Sequence, residues 1–506
     1  MTRIGDFTDH LYIWCFYAGL ALLLTAGSPP ANAAEDVSLT LSIKDFVRRV
    51  KEKNEYIRSQ NLEWAISLEA VKNSEAIFEP EFFASYDYND ETDFQRTAFS
   101  RGTVQERTGA YALGIAGLSP LGTRIQLGHT LEDLTNDFDL EDNHEYRGFL
   151  GISLVQPILK NWGVETTRAN IEISKENAAI SFQDYRKKTM EIVGSGIISF
   201  WDLYRSMEVI KILRESVNVT EQLLKDTKAR VRAGKLAETM IYEAMAGVNN
   251  RKALLFEARQ QLAANRANLK NYISYTGHYD NEAVMIDAAP DTKIPELDFD
   301  LMMENARKNR PEYISARIKK GREEIRVSYA KNQTLPDLDL KASYGYASYD
   351  GAGKDSLERT LDDEYTVWSL GFEFRIPIFG GEKTKSELAA AQHRQAQADL
   401  ELNAVEVALN NDLKSVIKNV IHINEQVQSN TEAAHYYQII LETEIARMKA
   451  GKSNSRIVLQ KEEDYIEAKE ARLTSQVNYQ KALMGLRMID GTLLAVYNIE
   501  EDDDKK

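Results

Sequence analysis

The residues of this 506-residue chain that could do chemistry are seven histidines, one cysteine and a large excess of carboxylates. His10, His129, His144, His278, His393, His422 and His435 fall at no spacing that would gather imidazoles around a metal ion. Cys15 lies inside an apolar run near the N-terminus, so the rest of the chain offers neither a thiol nucleophile nor a disulfide. No pair of carboxylates is framed by the apolar residues that would split two pKa values into an acid and a base. The stretch GAGKDS (residues 351–356) approaches a phosphate-binding loop. Asp355, however, stands where a hydroxyl should hold magnesium, and Ser348 replaces the first glycine. It reads as a loop between strands. The sequence predicts no enzyme, no cofactor and no metal site.

What does stand out is a phrase used twice. ARVRAGK (229–235) and ARMKAGK (446–452) are good helix stops, because Arg and Lys complement the negative helix end and Gly takes the left-handed cap. Other phrases recur in the same order. VQPILKNWG (155–163) answers RIPIFGG (375–381), NEYI (54–57) answers PEYI (311–314), and EPEFFASYDY (79–88) answers LPDLDLKASYGY (335–346). Four landmarks in one order indicate an internal duplication. Pro80 and Pro336 are 256 residues apart and Pro157 and Pro377 only 220, so the first half holds an extra hairpin's worth of chain.

The elements that must carry these phrases have two different periods. Residues 166–233 and 382–450 contain no proline and are rich in Ala, Leu, Glu, Lys and Gln, which predicts two helices roughly 100 Å long. In the second, Leu402, Val405, Leu409, Leu413, Val416, Val420, Ile423 and Val427 are spaced by threes and fours as in a coiled-coil seam. Ile417 and Ile421 add a second stripe. Each long helix should reverse at its AGK turn into a shorter one, over about 239–273 and 457–489. Ahead of each long helix the period becomes two. Trp368, Leu370, Phe372, Phe374 and Ile376 alternate with Ser369, Gly371, Glu373 and Arg375. Phe82, Ala84, Tyr86 and Tyr88 likewise oppose Phe83, Ser85 and Asp87. Such strands suit a membrane wall with lipid on one side and water on the other, although a half-buried soluble strand alternates the same way. Residues 111–131 carry two further alternating runs about a tight turn, Ile125, Leu127 and Leu131 opposing Arg124, Gln126 and Thr130. The tight turn between two long loops fits a barrel hairpin, so it is expected to join the wall, giving six strands per chain and eighteen in a trimer. Packed elsewhere, it would leave four.

A net charge of −16 with no basic stripe argues against a nucleic-acid partner. The apolar run at 11–27, followed by ANA at 31–33, predicts a signal peptide over residues 1–33. Beyond it no stretch is long enough for a membrane helix. A membrane form would have to use strands, and one chain has too few to close a barrel.

These features resemble the TolC-type outer-membrane efflux family over nearly all of residues 34–506. LTLSIKDFVRRVKEKNEYIRSQ (39–60) is similar to the family's opening helices, with NEYI and RPEYISA in place of its N-P-x-L element. IPIFGGEKTKSELAAAQ (376–392) is similar to its strand exit, and the AGK turns match its helix reversals. The resemblance implies a mixed α/β membrane protein built from two repeats. It would be a homotrimer sharing one transmembrane β-barrel, continuous with a long periplasmic α-helical barrel, in the outer membrane of a Gram-negative bacterium. The implied role is a passive exit duct for small molecules or exported protein, in a tripartite efflux pump or type I secretion system. Its implied partners are a periplasmic adaptor, an inner-membrane transporter and outer-membrane lipid.

On this reading residues 34–80 are N-terminal periplasmic helices, and 81–156 are the strands of repeat 1 with the extra hairpin. Residues 157–275 form its helical hairpin, and 276–335 the linker and helices opening repeat 2. Strands at 336–376, a helical hairpin at 377–490 and an acidic tail at 491–506 complete the chain. Gly234, Lys235, Gly451 and Lys452 would meet the adaptor. Where the family carries aspartates after the second turn, this chain has Ile457 and Gln460, and Met240 and Glu243 hold the equivalent sites of repeat 1. Asp464 shares the helix face of Ile457 and Gln460, so Asp464 and Glu243 are expected to form the pore constriction. The plainer alternative is a solvated face shared by Asp464, Glu462 and Glu463. Rival functions are a non-conducting structural or adhesive envelope trimer and a soluble coiled-coil scaffold.

Overall fold

The computed structural model describes residues 39–96, 101–136, 144–275, 284–361 and 365–499. The expected signal peptide and the last seven residues lie outside them. In chain order the first elements are β1 (Leu39–Leu41), α1 (Ile43–Lys53), α2 (Glu55–Glu75), β2 (Glu81–Arg96), β3 (Arg101–Leu118), β4 (Arg124–Asn136) and β5 (His144–Pro157). The helices α3 (Val164–Arg232) and α4 (Thr239–Tyr272) end the first half. The second half holds β6 (Val284–Ile286), α5 (Phe299–Asn309), α6 (Pro311–Gln333), β7 (Asp337–Asp350), α7 (Gly353–Leu361) and β8 (Tyr365–Arg375). It closes with α8 (Glu382–Lys449), α9 (Ser455–Ile489) and α10 (Leu493–Val496). Of the described residues, 39–41 and 284–285 belong to a small unit and the others to a large one. Strands β1 and β6 pair as a two-stranded sheet.

The repeated phrases are repeated solutions to helix starts and stops. Asn54 opens α2 by accepting hydrogen bonds from the Tyr56 and Ile57 amides, at 3.1 and 3.4 Å. Its counterpart Pro311 occupies the first turn of α6, where a missing N–H costs nothing. Helices α3 and α8 run for 69 and 68 residues, and α4 and α9 return for 34 and 35. The seam expected on α8 is used. Leu409, Leu413, Val420 and Val427 are buried with Tyr479, Ala482 and Leu486 of α9, and Met302, Met303 and Ala306 of α5 close the same cluster.

The large unit's sheet has six strands, all antiparallel, in the order β2-β3-β4-β5-β7-β8. Residues 111–131 lie within it, as the β3–β4 hairpin between β2 and β5. Two differences from expectation appear at chain connections. The stretch expected as a loop after β7 is instead the nine-residue helix α7. It folds because Ser356 and Thr360, one turn apart, both face Ser348 of β7, whose hydroxyl contacts theirs at 2.8 and 2.5 Å. The segment expected as an acidic tail begins with α10, whose Leu493 and Leu494 are buried.

Candidate functional site

Two surfaces carry the features that the sequence singles out, and the first is the sheet. Residues directly opposite one another in an antiparallel sheet share a face, so the register sorts every strand. One face carries Phe82 and Tyr86 of β2, Leu113 and Ile115 of β3, Leu127 of β4 and Ile152 of β5, continuing through Tyr344 of β7 to Trp368, Leu370 and Phe372 of β8. These large apolar side chains are exposed, Phe82 to 73% and Trp368 to 69%. Six adjacent strands presenting such a face to water would be costly.

The opposite face is mostly small and polar, with the Phe83 and Phe149 rings lying across its glycines. Gly114, Gly128, Gly151 and Gly345 are paired in direct succession across β3, β4, β5 and β7. The Phe83 ring would meet a Cβ at Gly114 at 2.8 Å, and the Phe149 ring would meet one at Gly345 at the same distance. Glycine is therefore required for these rings to lie against the sheet. Charged residues flank the row on the same face: Arg124, Arg147, Lys341, Glu373 and Arg375, with Lys341 and Glu373 paired.

The second surface is the pair of helix reversals. Gly234 and Gly451 have φ of +72° and +77°, the left-handed cap that the AGK phrase predicts. The bonding is duplicated as well. Lys235 donates its amide to Arg230 and Lys452 to Arg447, both at 2.9 Å. Gly234, Lys235, Gly451 and Lys452 are all exposed, and the space where a Cβ would stand on either glycine is open. The two turns are neighbours, for the Arg230 guanidinium donates to the carbonyls of Met448 and Lys449 at 2.7 and 3.3 Å. A side chain of the first reversal thus caps the helix end of the second.

The returning helices α4 and α9 also touch. A Cβ on Gly247 would stand 2.9 Å from Leu459, and farther from the tips Arg251 meets Glu462 at 2.9 Å. Both members of that ion pair are buried, with side-chain exposures of 6% and 2%, and the Ser216 hydroxyl of α3 also donates to Glu462. Reading Glu462 as part of a solvated face is therefore wrong. The signal was available: Glu462 sits one turn from both Val458 and Ile466 in the buried stripe of α9, and Arg251 sits between Val248 and Leu255 in that of α4.

Asp464 and Glu243 behave differently from each other. Asp464 accepts from Lys461 at 2.9 Å and from Gln460 at 3.2 Å, both on its own helix. The Lys461 hydrogen bond holds its carboxyl below the usual aspartate range. Glu243 is half-buried, and its Oε2 has no hydrogen-bond partner. Among the described residues, no group of three or more His, Cys, Asp or Glu is arranged to hold a metal ion, and no helix is long and apolar enough to cross a membrane.

Comparison with known proteins accords with this geometry. The sequence profile described as "Outer membrane efflux protein" matches residues 124–274 and 302–492. "Outer membrane protein TolC" of Vibrio cholerae is 22% identical over 245 residues, which are 47% of this chain and 52% of that one. The chain thus spans about half the length of that relative. "Alkaline protease secretion protein AprF" of Pseudomonas aeruginosa is 21% identical over 58% of this chain and 60% of its own length. Among solved structures, the outer-membrane channel OprN superposes with a TM-score of 0.65 at 12% identity, covering 89% of both chains, which is a likeness of fold.

Proposed function

Because the chain belongs to the outer membrane efflux protein family, we propose that it is a passive outer-membrane exit duct, a homotrimer working with a periplasmic adaptor and an inner-membrane transporter. The observation that carries this reading is the sheet. It has an apolar exposed face on every strand, a mostly small and polar face behind it, and, among the described residues, two unpaired edges at β2 and β8. In lipid those edges must be paired. Three copies joined edge to edge satisfy them in a ring of eighteen strands, lipid meeting the apolar face and water the glycine-lined one.

The helices support the same assembly. On α8 the exposed residues Leu400, Val407 and Ile421 are spaced by multiples of seven, a stripe turned away from the chain's own core. A neighbouring copy would cover it as a coiled-coil partner does. The paired reversal turns at the far end form the surface offered to the adaptor. Rings of three Asp464 and three Glu243 near that end would narrow the tunnel and favour cations. One of these relatives is named for the secretion of a protease, so an exported protein stands beside small molecules as cargo.

Planar-bilayer recording of the purified protein tests the reading. Discrete conductance steps are expected. A membrane-extracted trimer that never conducts would favour the structural envelope protein, and extraction without detergent would favour the soluble scaffold.

A further inference from the structure

The register of the sheet contains more than its strand count. Starting at Glu81, the first residue of β2, one can follow residues directly opposite one another across the whole sheet. The row runs Glu81, Ala116, Gln126, Ser153, Ser343, Ser369. It meets β8 at Ser369, and the strand continues for six more residues to Arg375. The sheet is therefore sheared by six residues over its six strands.

Glu81 and Arg375 both stand where the chain passes between sheet and helices, so they mark the same rim. On the trimeric reading proposed above, we infer that β8 of one copy pairs antiparallel with β2 of the next in the register that sets Arg375 opposite Glu81. The residues fit this seam. The apolar face gains Phe82 opposite Phe374, Ala84 opposite Phe372, Tyr86 opposite Leu370 and Tyr88 opposite Trp368. The other face gains Glu81 opposite Arg375, Phe83 opposite Glu373, Ser85 opposite Gly371 and Asp87 opposite Ser369. Glu81 is exposed and has no ion pair among the described residues, while the Arg375 side chain, already 3.1 Å from Glu373 in its own chain, is 63% exposed and can reach a second carboxylate. A shift of one residue would turn every side chain of β2 to the wrong face. A shift of two in one direction would set Glu81 opposite Glu373, like charge against like.

The same register fixes the barrel. Three copies shear by eighteen residues over eighteen strands. A rise of about 3.3 Å per residue against a strand spacing of about 4.8 Å then gives a tilt of about 35°. That lies at the lower end of the range for membrane barrels, roughly 35–45°. The backbone radius is about 17 Å, against about 11 Å for twelve strands at equal tilt. The β3–β4 hairpin thus widens the outer end of the duct by half.

Disulfide trapping tests the seam, because Cys15 is the only native cysteine and can be replaced by serine. A Cβ on Gly371 meets nothing within 4 Å, so Gly371→Cys is tolerated sterically. Oxidised Ser85→Cys/Gly371→Cys and Asp87→Cys/Ser369→Cys proteins should run as reducible two- and three-chain species. Ser85→Cys/Ser369→Cys, displaced by two residues, should link several-fold less, and single-cysteine variants should give no three-chain product. Native mass spectrometry of the same samples separates the two ways of failing. Trimers that link only through the displaced pair, or through none, overturn the register. Monomers throughout overturn the trimeric duct itself.

Discussion

Arg251 and Glu462 show how a charge pair can sit inside a helical core and make one device of two hairpins. Removing one partner strands the other in a buried site, at a cost of about 3–5 kcal/mol, whereas a packed apolar replacement of both is close to neutral. Glu462→Ala should therefore shift denaturant unfolding, followed by helical circular dichroism, by about that amount, and Arg251→Met/Glu462→Leu should recover most of it. Equal loss in single and double variants would contradict this. Asp464 raises a different question, that of charge at the tip. Its folded pKa is depressed by Lys461, so its stabilising contact is present above the ordinary aspartate value of about 3.9 and is lost only as pH falls through the lower folded value. Any selectivity it provides should accordingly hold from pH ~7 to ~5. Single-channel recording of Asp464→Asn and Glu243→Gln should show reduced cation preference. If both leave selectivity and divalent block unchanged, the constriction is not built from these residues.

At the scale of the element, the glycine row decides whether the strands can pair at all. A Cβ on Gly345 would stand 2.4 Å from the Leu150 carbonyl oxygen, a backbone atom that cannot swing aside, whereas one on Gly371 would stand in open space. Gly345→Val is expected to cost about 1–3 kcal/mol through overpacking and to lose most of the trimer on a semi-native gel. Gly321→Ala, in α6 where a Cβ also meets nothing within 4 Å, should assemble normally. Equal assembly would show that the row is incidental.

For the whole molecule, the exposed α8 stripe should bind copies together independently of the barrel. Leu400→Gln/Val407→Gln/Ile421→Gln removes apolar area worth roughly 25 cal/mol per Å² once buried, at positions outside the chain's buried core. The variant should remain as helical as the parent while native mass spectrometry shows a smaller trimer fraction. A trimer fraction equal to the parent's would mean that the stripe faces water in the assembly.

The repeats, the long helices and the alternating strands were legible in the sequence because each depends on local rules: helix propensity, a left-handed cap at Gly234 and Gly451, and a side-chain period of two. The returning helices begin and end within two residues of the positions expected from sequence. That residues 111–131 join the sheet was expected from their alternation and tight turn, but their place between β2 and β5 was not legible. Their alternation suits a sheet, but which strands they join depends on partners distant in sequence. The helix after β7 was hidden for the same reason, since it is held by hydroxyls on another element. Glu462 was misread because a run of three acidic residues suggests solvent; its place in the apolar stripe of α9 was visible, but its partner Arg251, 211 residues away, was not. Local periodicity sets what each segment becomes, while charge pairing and strand order are contacts at long separation, and only the folded chain decides those.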